Sequence, residues 1–259
     1  MQDLLKIAIL QSDLVWEDPK QNRLNFANKI KKIGQSVDII LLPEMFTSGF
    51  TMSPSNIAET MKGETIKWML EIALRSNAAI GGSLVIEEED AFFNRFIFAK
   101  PDGTIEIYDK RHTFTLSGEN EVYASGKDIV IIDYKGWKVC PLICYDLRFP
   151  VWARNTQAYD VLLYVANWPK PRITAWDALL KARAIENMSY CIGVNRVGLD
   201  ANNHEYSGHS AAYDVLGEQL FAIEDGKEQV EIVTLSKAHL TSIREKLKFL
   251  NDSDNFTLK

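Results

Sequence analysis

The pattern of apolar and polar positions predicts strands and helices in alternation, followed by a run of strands. Apolar runs over 7–11 and 37–42 are typical of buried strands, and the segment 21–33 between them has apolar residues at helical spacing. A second helix is predicted over 64–76. Further strands are predicted over 79–86, 93–99, 104–108, 128–133, 137–143, 161–165, 190–195, 209–214, 219–222 and 229–235, with one more helix over about 174–188.

Turn chemistry indicates how these elements connect. The segment Pro101-Asp-Gly103 is typical of a hairpin turn, and glycines at 136, 217 and 226 mark further turns between strands. Mixed αβ units combined with several hairpins favour an α/β fold in which two sheets pack face to face with helices outside. No linker rich in Gly, Ser or Pro divides the chain, so we expect one domain over residues 1–259.

Composition and charge narrow the classes of function. The hydrophobic fraction of 46% is ordinary for a globular protein with a large core. The net charge is −6 and basic residues are scattered among acidic ones, so we expect neither a nucleic-acid partner nor a membrane partner. The N-terminal apolar run is preceded by an acid and is too short to span a membrane, which predicts the first strand of a cytoplasmic protein.

The cysteines and histidines give no sign of a disulfide framework or a metal site. Cys140, Cys144 and Cys191 form an odd set without a C-x-x-C pair, and the four histidines lack ligand spacing. Phosphate-binding glycine motifs are also missing from the sequence. We therefore expect no metal and no cofactor.

Three residues at predicted strand ends form a candidate catalytic set. Cys144 follows an apolar strand in Val139-Cys-Pro-Leu-Ile-Cys-Tyr-Asp-Leu-Arg-Phe-Pro150, where a thiol is placed to attack. Glu44 ends Leu41-Leu-Pro-Glu44, and Lys110 lies in Tyr108-Asp-Lys110-Arg-His112. Each residue alone is better explained as a core thiol, a solvated acid or a surface lysine; only their combination indicates chemistry.

Acyl transfer through a thiol to water needs a nucleophile, a proton carrier and a site for the oxyanion. We assign these roles to Cys144, to Glu44 as general base and acid, and to Lys110 together with the backbone N–H of Tyr145. The apolar stretch before Glu44 predicts its burial. The Lys110 ammonium is expected to lower the pKa of the Cys144 thiol.

These motifs resemble the Glu-Lys-Cys triad of the nitrilase superfamily of carbon-nitrogen hydrolases. They occur in the family's order and are followed by Ala166-Asn-Trp-Pro169 and Ala182-Arg-Ala-Ile-Glu-Asn187. The Tyr145-Asp-Leu-Arg-Phe-Pro150 segment and Arg244-Glu-Lys-Leu247 look like the omega-amidase branch. The resemblance implies a four-layer α-β-β-α sandwich. Lys248 stands where that branch would have proline, which affects the path of the tail.

The resemblance also implies a second active-site glutamate between the lysine and the cysteine. Glu119 fits that position better than Glu121, and we assign it to position Lys110 and substrate.

Four residues are assigned to substrate binding, namely Tyr145, Trp168, His112 and Arg172. Trp168 could equally pack its loop onto the core, and His112 lies so close to Lys110 that a supporting role beside the pocket is open. Arg172 is a candidate partner for a substrate carboxylate.

The omega-amidase resemblance implies hydrolysis of the terminal carboxamide of a small ω-amido 2-oxo acid of the 2-oxoglutaramate or 2-oxosuccinamate type, with a thioester intermediate and release of ammonia. The alternatives are another amidase or a carbamoyl-amide hydrolase of the superfamily, and a catalytically silent relative that binds a small molecule. The family also implies a homodimer. Val151-Trp-Ala-Arg154 and the tail over about 240–259 would suit that contact, although burial against the chain's own core explains them equally well.

Overall fold

The computed structural model describes residues 2–254 and 256–258. Met1 of the predicted N-terminal strand region, and Asn255 and Lys259 of the predicted tail contact, lie outside the described residues. In chain order the β-strands are Leu4–Gln11 (β1), Ile39–Leu41 (β2), Ala79–Glu88 (β3), Ala91–Ala99 (β4), Ile105–Asp109 (β5), Ile132–Tyr134 (β6), Trp137–Ile143 (β7), Val161–Ala166 (β8), Tyr190–Asn195 (β9), Val197–Leu199 (β10), Glu205–Ser207 (β11), Ala211–Tyr213 (β12), Gln219–Ala222 (β13) and Gln229–Ser236 (β14). The α-helices are Pro19–Ile30 (α1), Glu64–Ser76 (α2), Glu119–Val122 (α3), Pro150–Ala153 (α4), Ile173–Asn187 (α5) and Lys237–Leu247 (α6).

Two six-stranded sheets have the same plan. The first has the order β14-β1-β2-β3-β4-β5 and the second has the order β13-β12-β9-β8-β7-β6. In each, three neighbouring parallel strands lie between antiparallel ones: β1, β2 and β3 in the first sheet, and β7, β8 and β9 in the second. Strands β10 and β11 form a separate hairpin. Since the ends of parallel strands meet at one edge of a sheet, side chains from distant segments can be brought together there.

The inner faces of the sheets share one apolar core, which includes Ile7 of β1 and Val139 of β7. Helices α1 and α2 cover the outer face of the first sheet through Phe26 and Met69. Helix α5 covers the second sheet so closely that a Cβ at Gly193 of β9 would lie 2.5 Å from a Leu180 methyl carbon. The arrangement confirms the predicted α/β sandwich of four layers, helix on sheet on sheet on helix.

Most predicted elements are present, and the differences have physical reasons. The strand predicted over 128–133 is reduced to Ile132–Tyr134, and 128–131 runs without ladder pairing. The strand predicted over 209–214 begins only at Ala211, because His209 has a φ of 59° and left-handed backbone does not continue a strand. Helix α6 and the β10–β11 hairpin were not predicted.

The tail is held against the second sheet by Arg244. Its guanidinium donates hydrogen bonds to the carbonyl oxygens of Met188 and Tyr159, at 2.7 and 2.6 Å. Lys248 ends helix α6 with a φ of 55°, a value that the proline ring cannot adopt. The departure from the family pattern at Lys248 therefore gives the tail a left-handed turn at this position. Among the described helices, none combines the length and the apolar character needed to cross a bilayer.

Candidate active site

Glu44 follows β2 at the edge where strand ends of both sheets meet, and its side chain is completely buried. One carboxylate oxygen, Oε1, accepts a hydrogen bond from Lys110 Nζ at 2.9 Å. The other, Oε2, accepts one from the backbone N–H of Asn167 at 2.8 Å. Met45 adopts a φ of 42°, so the chain turns sharply just after the carboxylate. The predicted burial of Glu44 is confirmed.

Lys110 follows β5 and is only 1% exposed. Its Nζ lies 2.9 Å from Glu44 and within hydrogen-bond distance of both Glu119 oxygens, at 3.0 and 2.9 Å. Burial alone would lower the pKa of this ammonium, but the charges of Glu119 and Glu44 outweigh it and raise the pKa. Lys110 is therefore a permanently charged group shared by two carboxylates.

Glu119, not Glu121, is the acid that reaches this cluster. Glu119 begins α3 and is fully buried, and its Oε2 accepts a hydrogen bond from the backbone N–H of Phe114 at 2.5 Å. Burial raises the pKa of Glu119, and the Lys110 ammonium opposes that rise. Glu121 is exposed to solvent.

Cys144 follows β7 and begins a short 3₁₀ helix, where it adopts a φ of 44°. Left-handed backbone is strained for a residue with a side chain and is typical of functional turns. The following residue, Tyr145, has its backbone N–H in the first turn of that helix, where such groups lack an intrahelical acceptor. The thiol is half-buried and lines the main cavity.

The expected effect of Lys110 on the pKa of the Cys144 thiol is present but is not the largest one. Burial raises the pKa of the thiol, and the charge of Glu44 raises it further, whereas Lys110 lowers it as expected but is outweighed. The thiol is therefore neutral at rest and needs a proton acceptor when it reacts.

Asp146, two residues after the cysteine, fixes the turn. Its Oδ2 accepts hydrogen bonds from the Tyr108 hydroxyl at 2.8 Å and the Ile143 backbone N–H at 3.0 Å. Its Oδ1 accepts one from the His112 backbone N–H at 2.9 Å and lies 2.8 Å from His112 Nδ1. One buried carboxylate thus ties the cysteine turn of the second sheet to strand β5 of the first.

The sequence missed two polar residues of the site, Asn94 and Asn167, which both contact Glu44. Asn167 lies inside the motif Ala166-Asn-Trp-Pro169, which was a usable signal, whereas Asn94 lies within strand β4 and carries none.

A cavity of about 520 Å³ opens above the cysteine. Lys110, Cys144 and Asn167 are among its polar lining groups. Aromatic side chains form much of its wall, namely Trp16, Phe50, Phe114, Tyr145, Trp168 and Tyr206. A cavity of this size with few polar groups is typical of a small-molecule site.

Three of the four predicted substrate-binding residues, Tyr145, Trp168 and Arg172, line this cavity. The Arg172 guanidinium lies 5.1 Å from the centre of the Phe114 ring. Arg148, which was not assigned to the pocket, lies 4.9 Å from the Trp168 ring centre and also lines it.

His112 is not among the residues that line this cavity, and its assignment to substrate binding stays a prediction. Its ring stacks on Phe149 with centroids 3.6 Å apart, and its Nδ1 faces Asp146. Through these two contacts, His112 packs against the residues that form the cysteine turn. In the part of the chain that the structure describes, no group of three or more His, Cys, Asp or Glu residues is arranged to hold a metal ion.

Comparisons with known proteins find similar sequences and a similar solved structure. A family model described as carbon-nitrogen hydrolase matches residues 6–245. The chain is 46% identical over 256 residues to omega-amidase YafV of Yersinia enterocolitica, covering 98% of each chain. It is 30% identical to a 2-oxoglutaramate amidase of Bacillus subtilis, covering 95% of this chain and 96% of the relative. A crystal structure of a carbon-nitrogen hydrolase superfamily protein from Xanthomonas campestris, with an arsenic adduct in the active site, has a TM-score of 0.97 and 41% identity, and each chain is covered fully.

Proposed function

The chain belongs to the carbon-nitrogen hydrolase family, and on that premise we propose that it is an omega-amidase that releases ammonia from a small ω-amido 2-oxo acid such as 2-oxoglutaramate. The omega-amidase and 2-oxoglutaramate amidase relatives support this substrate class. The observation that carries the chemistry is the Lys110 ammonium shared by two buried carboxylates at the base of a cavity lined by Cys144.

In the first half of the proposed reaction, the Cys144 sulfur attacks the carboxamide carbon while the thiol proton passes to Glu44. The carbonyl oxygen becomes an oxyanion that accepts hydrogen bonds from Lys110 Nζ and the Tyr145 backbone N–H. The carbon–nitrogen bond then breaks, Glu44 returns its proton to the nitrogen, and ammonia leaves. The acyl group remains on sulfur as a thioester.

In the second half, water replaces ammonia. Glu44 takes a proton from the water, whose oxygen attacks the thioester carbon, and the oxyanion forms in the same place. The carbon–sulfur bond breaks as the proton returns to sulfur, releasing the 2-oxo dicarboxylic acid. Because the resting thiol is neutral, both halves depend on Glu44 as proton carrier.

We assign the substrate carboxylate to Arg172, with Arg148 nearby. Each guanidinium lies over an aromatic ring, and neither is paired with a carboxylate within the described residues. A guanidinium can make a bidentate contact with a carboxylate. Stacking on an aromatic ring already restricts the arginine side chain, so less conformational freedom is lost when the carboxylate binds.

We also propose that the protein is a single-domain cytoplasmic enzyme that works as a homodimer. Support for reducing surroundings comes from the cysteines, because Cys140, Cys144 and Cys191 are all free. Exposed apolar side chains at Val151 and Phe249 support contacts through the predicted surfaces. Analytical ultracentrifugation of the purified protein, and of a Val151→Glu variant, tests the dimer: a wild-type monomer would refute it.

The function is tested by ammonia release from 2-oxoglutaramate, measured beside a simple aliphatic amide, a nitrile and a carbamoyl-amino acid. Cys144→Ala is the inactive control, and Cys140→Ala is the matched control for a lost buried thiol. We expect preference for the oxo-acid amide, with activity lost in Cys144→Ala and kept in Cys140→Ala. Preference for another substrate with the same dependence would overturn the substrate class but not the chemistry, and an inert wild-type enzyme would favour a catalytically silent relative.

A further inference from the structure

Asn94 in strand β4 bridges the two active-site carboxylates. Its side chain is 1% exposed, and its Nδ2 donates to Glu44 Oε1 at 2.8 Å and to Glu119 Oε1 at 3.2 Å. Its backbone carbonyl accepts a hydrogen bond from the Lys110 backbone N–H at 3.0 Å. One residue therefore contacts three members of the cluster.

The orientation of the Asn94 amide has a cost. Its Oδ1 is buried and finds no hydrogen-bond partner among the described residues. A buried acceptor without a partner destabilises a protein. A residue that served only to fill space would not need a polar side chain with such an acceptor. The amide is turned so that its NH₂ group, the only part that can donate, faces both acids.

The cluster needs such a donor because its charges do not cancel. With a neutral thiol, one ammonium faces two carboxylates, and the site has one excess negative charge. Closely spaced buried carboxylates tend to take up a proton and share it. Burial, together with the charge of Glu44, raises the pKa of Glu119. A proton shared in this way would occupy the acceptor that the thiol requires.

We propose that Asn94 is a positioning residue that holds both carboxylates as hydrogen-bond acceptors and disfavours a proton on Glu119, and thereby preserves Glu44 as the proton acceptor for Cys144, by donating one hydrogen bond to each. A neutral amide does this without adding charge, because an oxygen that accepts a hydrogen bond is less readily protonated. The inference rests on the proposed role of Glu44. The ionisable groups that face the carboxylates are Lys110, Cys144 and Tyr123.

Two substitutions separate this role from packing. Asn94→Leu removes the donor and keeps similar volume, so the protonated pair persists to higher pH. We expect kcat/KM to fall roughly tenfold to a hundredfold at neutral pH, which is the usual effect of a lost hydrogen bond to a charged group. The acidic limb of the pH profile of kcat/KM should move toward higher pH. In Asn94→Asp, the new carboxyl group can donate a hydrogen bond only while it is protonated. The activity of this variant relative to Asn94→Leu should therefore fall as pH rises.

The matched control is Asn155→Leu. Asn155 is a buried asparagine whose amide bonds Tyr159 and Asn187 and which lies outside the cavity lining. Its variant should keep the wild-type pH profile even where it loses stability. Asn94→Leu and Asn94→Asp profiles that match wild type in shape, or that fall uniformly at every pH, would overturn the proposal.

A second measurement does not depend on the substrate. Alkylation of Cys144 by iodoacetamide, followed by intact-protein mass spectrometry, reports how readily the thiol loses its proton. We expect the alkylation rate of Asn94→Leu to be higher than that of wild type at acidic pH, because a proton on the carboxylates removes negative charge that raises the pKa of the thiol, and to converge with it at alkaline pH, with Cys144→Ala giving the background. Equal alkylation rates at every pH would refute the positioning role. An enzyme that is inert on every amide but shows the expected alkylation pattern would refute only the proposed function.

Discussion

Replacing Lys110 with methionine tests the central ion cluster most directly. The change removes the ammonium that lies within 3.0 Å of oxygens from both Glu44 and Glu119, and it keeps an unbranched side chain in a site that is 1% exposed. Removing one partner of a buried ion pair costs about 3–5 kcal/mol, because the remaining charge is left without compensation. We expect a loss of that size in the free energy of unfolding at pH 8, measured by urea denaturation.

The loss should depend on pH in a defined direction. Burial already raises the pKa of Glu119 against the opposition of Lys110, so removal of the ammonium allows a further rise. A carboxyl group whose pKa is raised in the folded state costs no stability below the pKa of a free glutamate, about 4.3, and costs progressively more as pH rises above it. The deficit of Lys110→Met should therefore be small near that pH and grow toward pH 8.

Two controls make the result interpretable. Lys135→Met breaks a partly exposed pair with Asp38 and should cost at most about 1 kcal/mol. Adding Glu119→Gln to Lys110→Met removes one uncompensated charge and should recover part of the loss. Stability of Lys110→Met within about 1 kcal/mol of wild type at pH 8, or a deficit that does not change with pH, would refute the electrostatic reasoning.

Three further predictions follow from the site and the core. Cys144→Ser should abolish ammonia release and leave folding intact by circular dichroism, while Cys140→Ala should remain active and cost on the order of 1 kcal/mol of stability; equal loss of activity in both would contradict the choice of nucleophile. Arg172→Ala should raise KM for 2-oxoglutaramate by roughly tenfold or more and leave an uncharged amide unaffected, whereas parallel losses on both substrates would argue against a carboxylate contact. Gly193→Ala should lower stability by about 1–3 kcal/mol in thermal or urea unfolding, because its methyl group would overlap helix α5; an unchanged midpoint would contradict the close packing described there.

The sequence predicts the sheets and the positions of Glu44, Lys110 and Cys144, because both depend on short-range patterns. Helix α2 and strand β7 agree with their predicted bounds, since each has clear periodicity and a defined end. The three reactive residues follow strands, and strand ends meet at one edge of a sandwich.

The rest of the site depends on contacts between distant segments. Asn94 has nothing in its local sequence to distinguish it from any other buried polar residue in a strand, and its role appears only when strand β4 lies beside Glu44 and Glu119. The orientation of His112 depends on such contacts too, because closeness to Lys110 along the chain does not reveal that its ring turns toward Asp146. The state of the Cys144 thiol was also out of reach, since it depends on burial and on two carboxylates at once.

The hydrogen bonds of Asp146 have a mechanical consequence. Cys144 and Lys110 belong to different sheets, so sliding of one sheet over the other would change the distance between nucleophile and ammonium. Asp146 holds the backbone of Ile143, just before the cysteine, and the side chain of Tyr108, just before the lysine, in a single bonded unit. Directional hydrogen bonds therefore resist such sliding at the point where the nucleophile and the ammonium must keep their spacing.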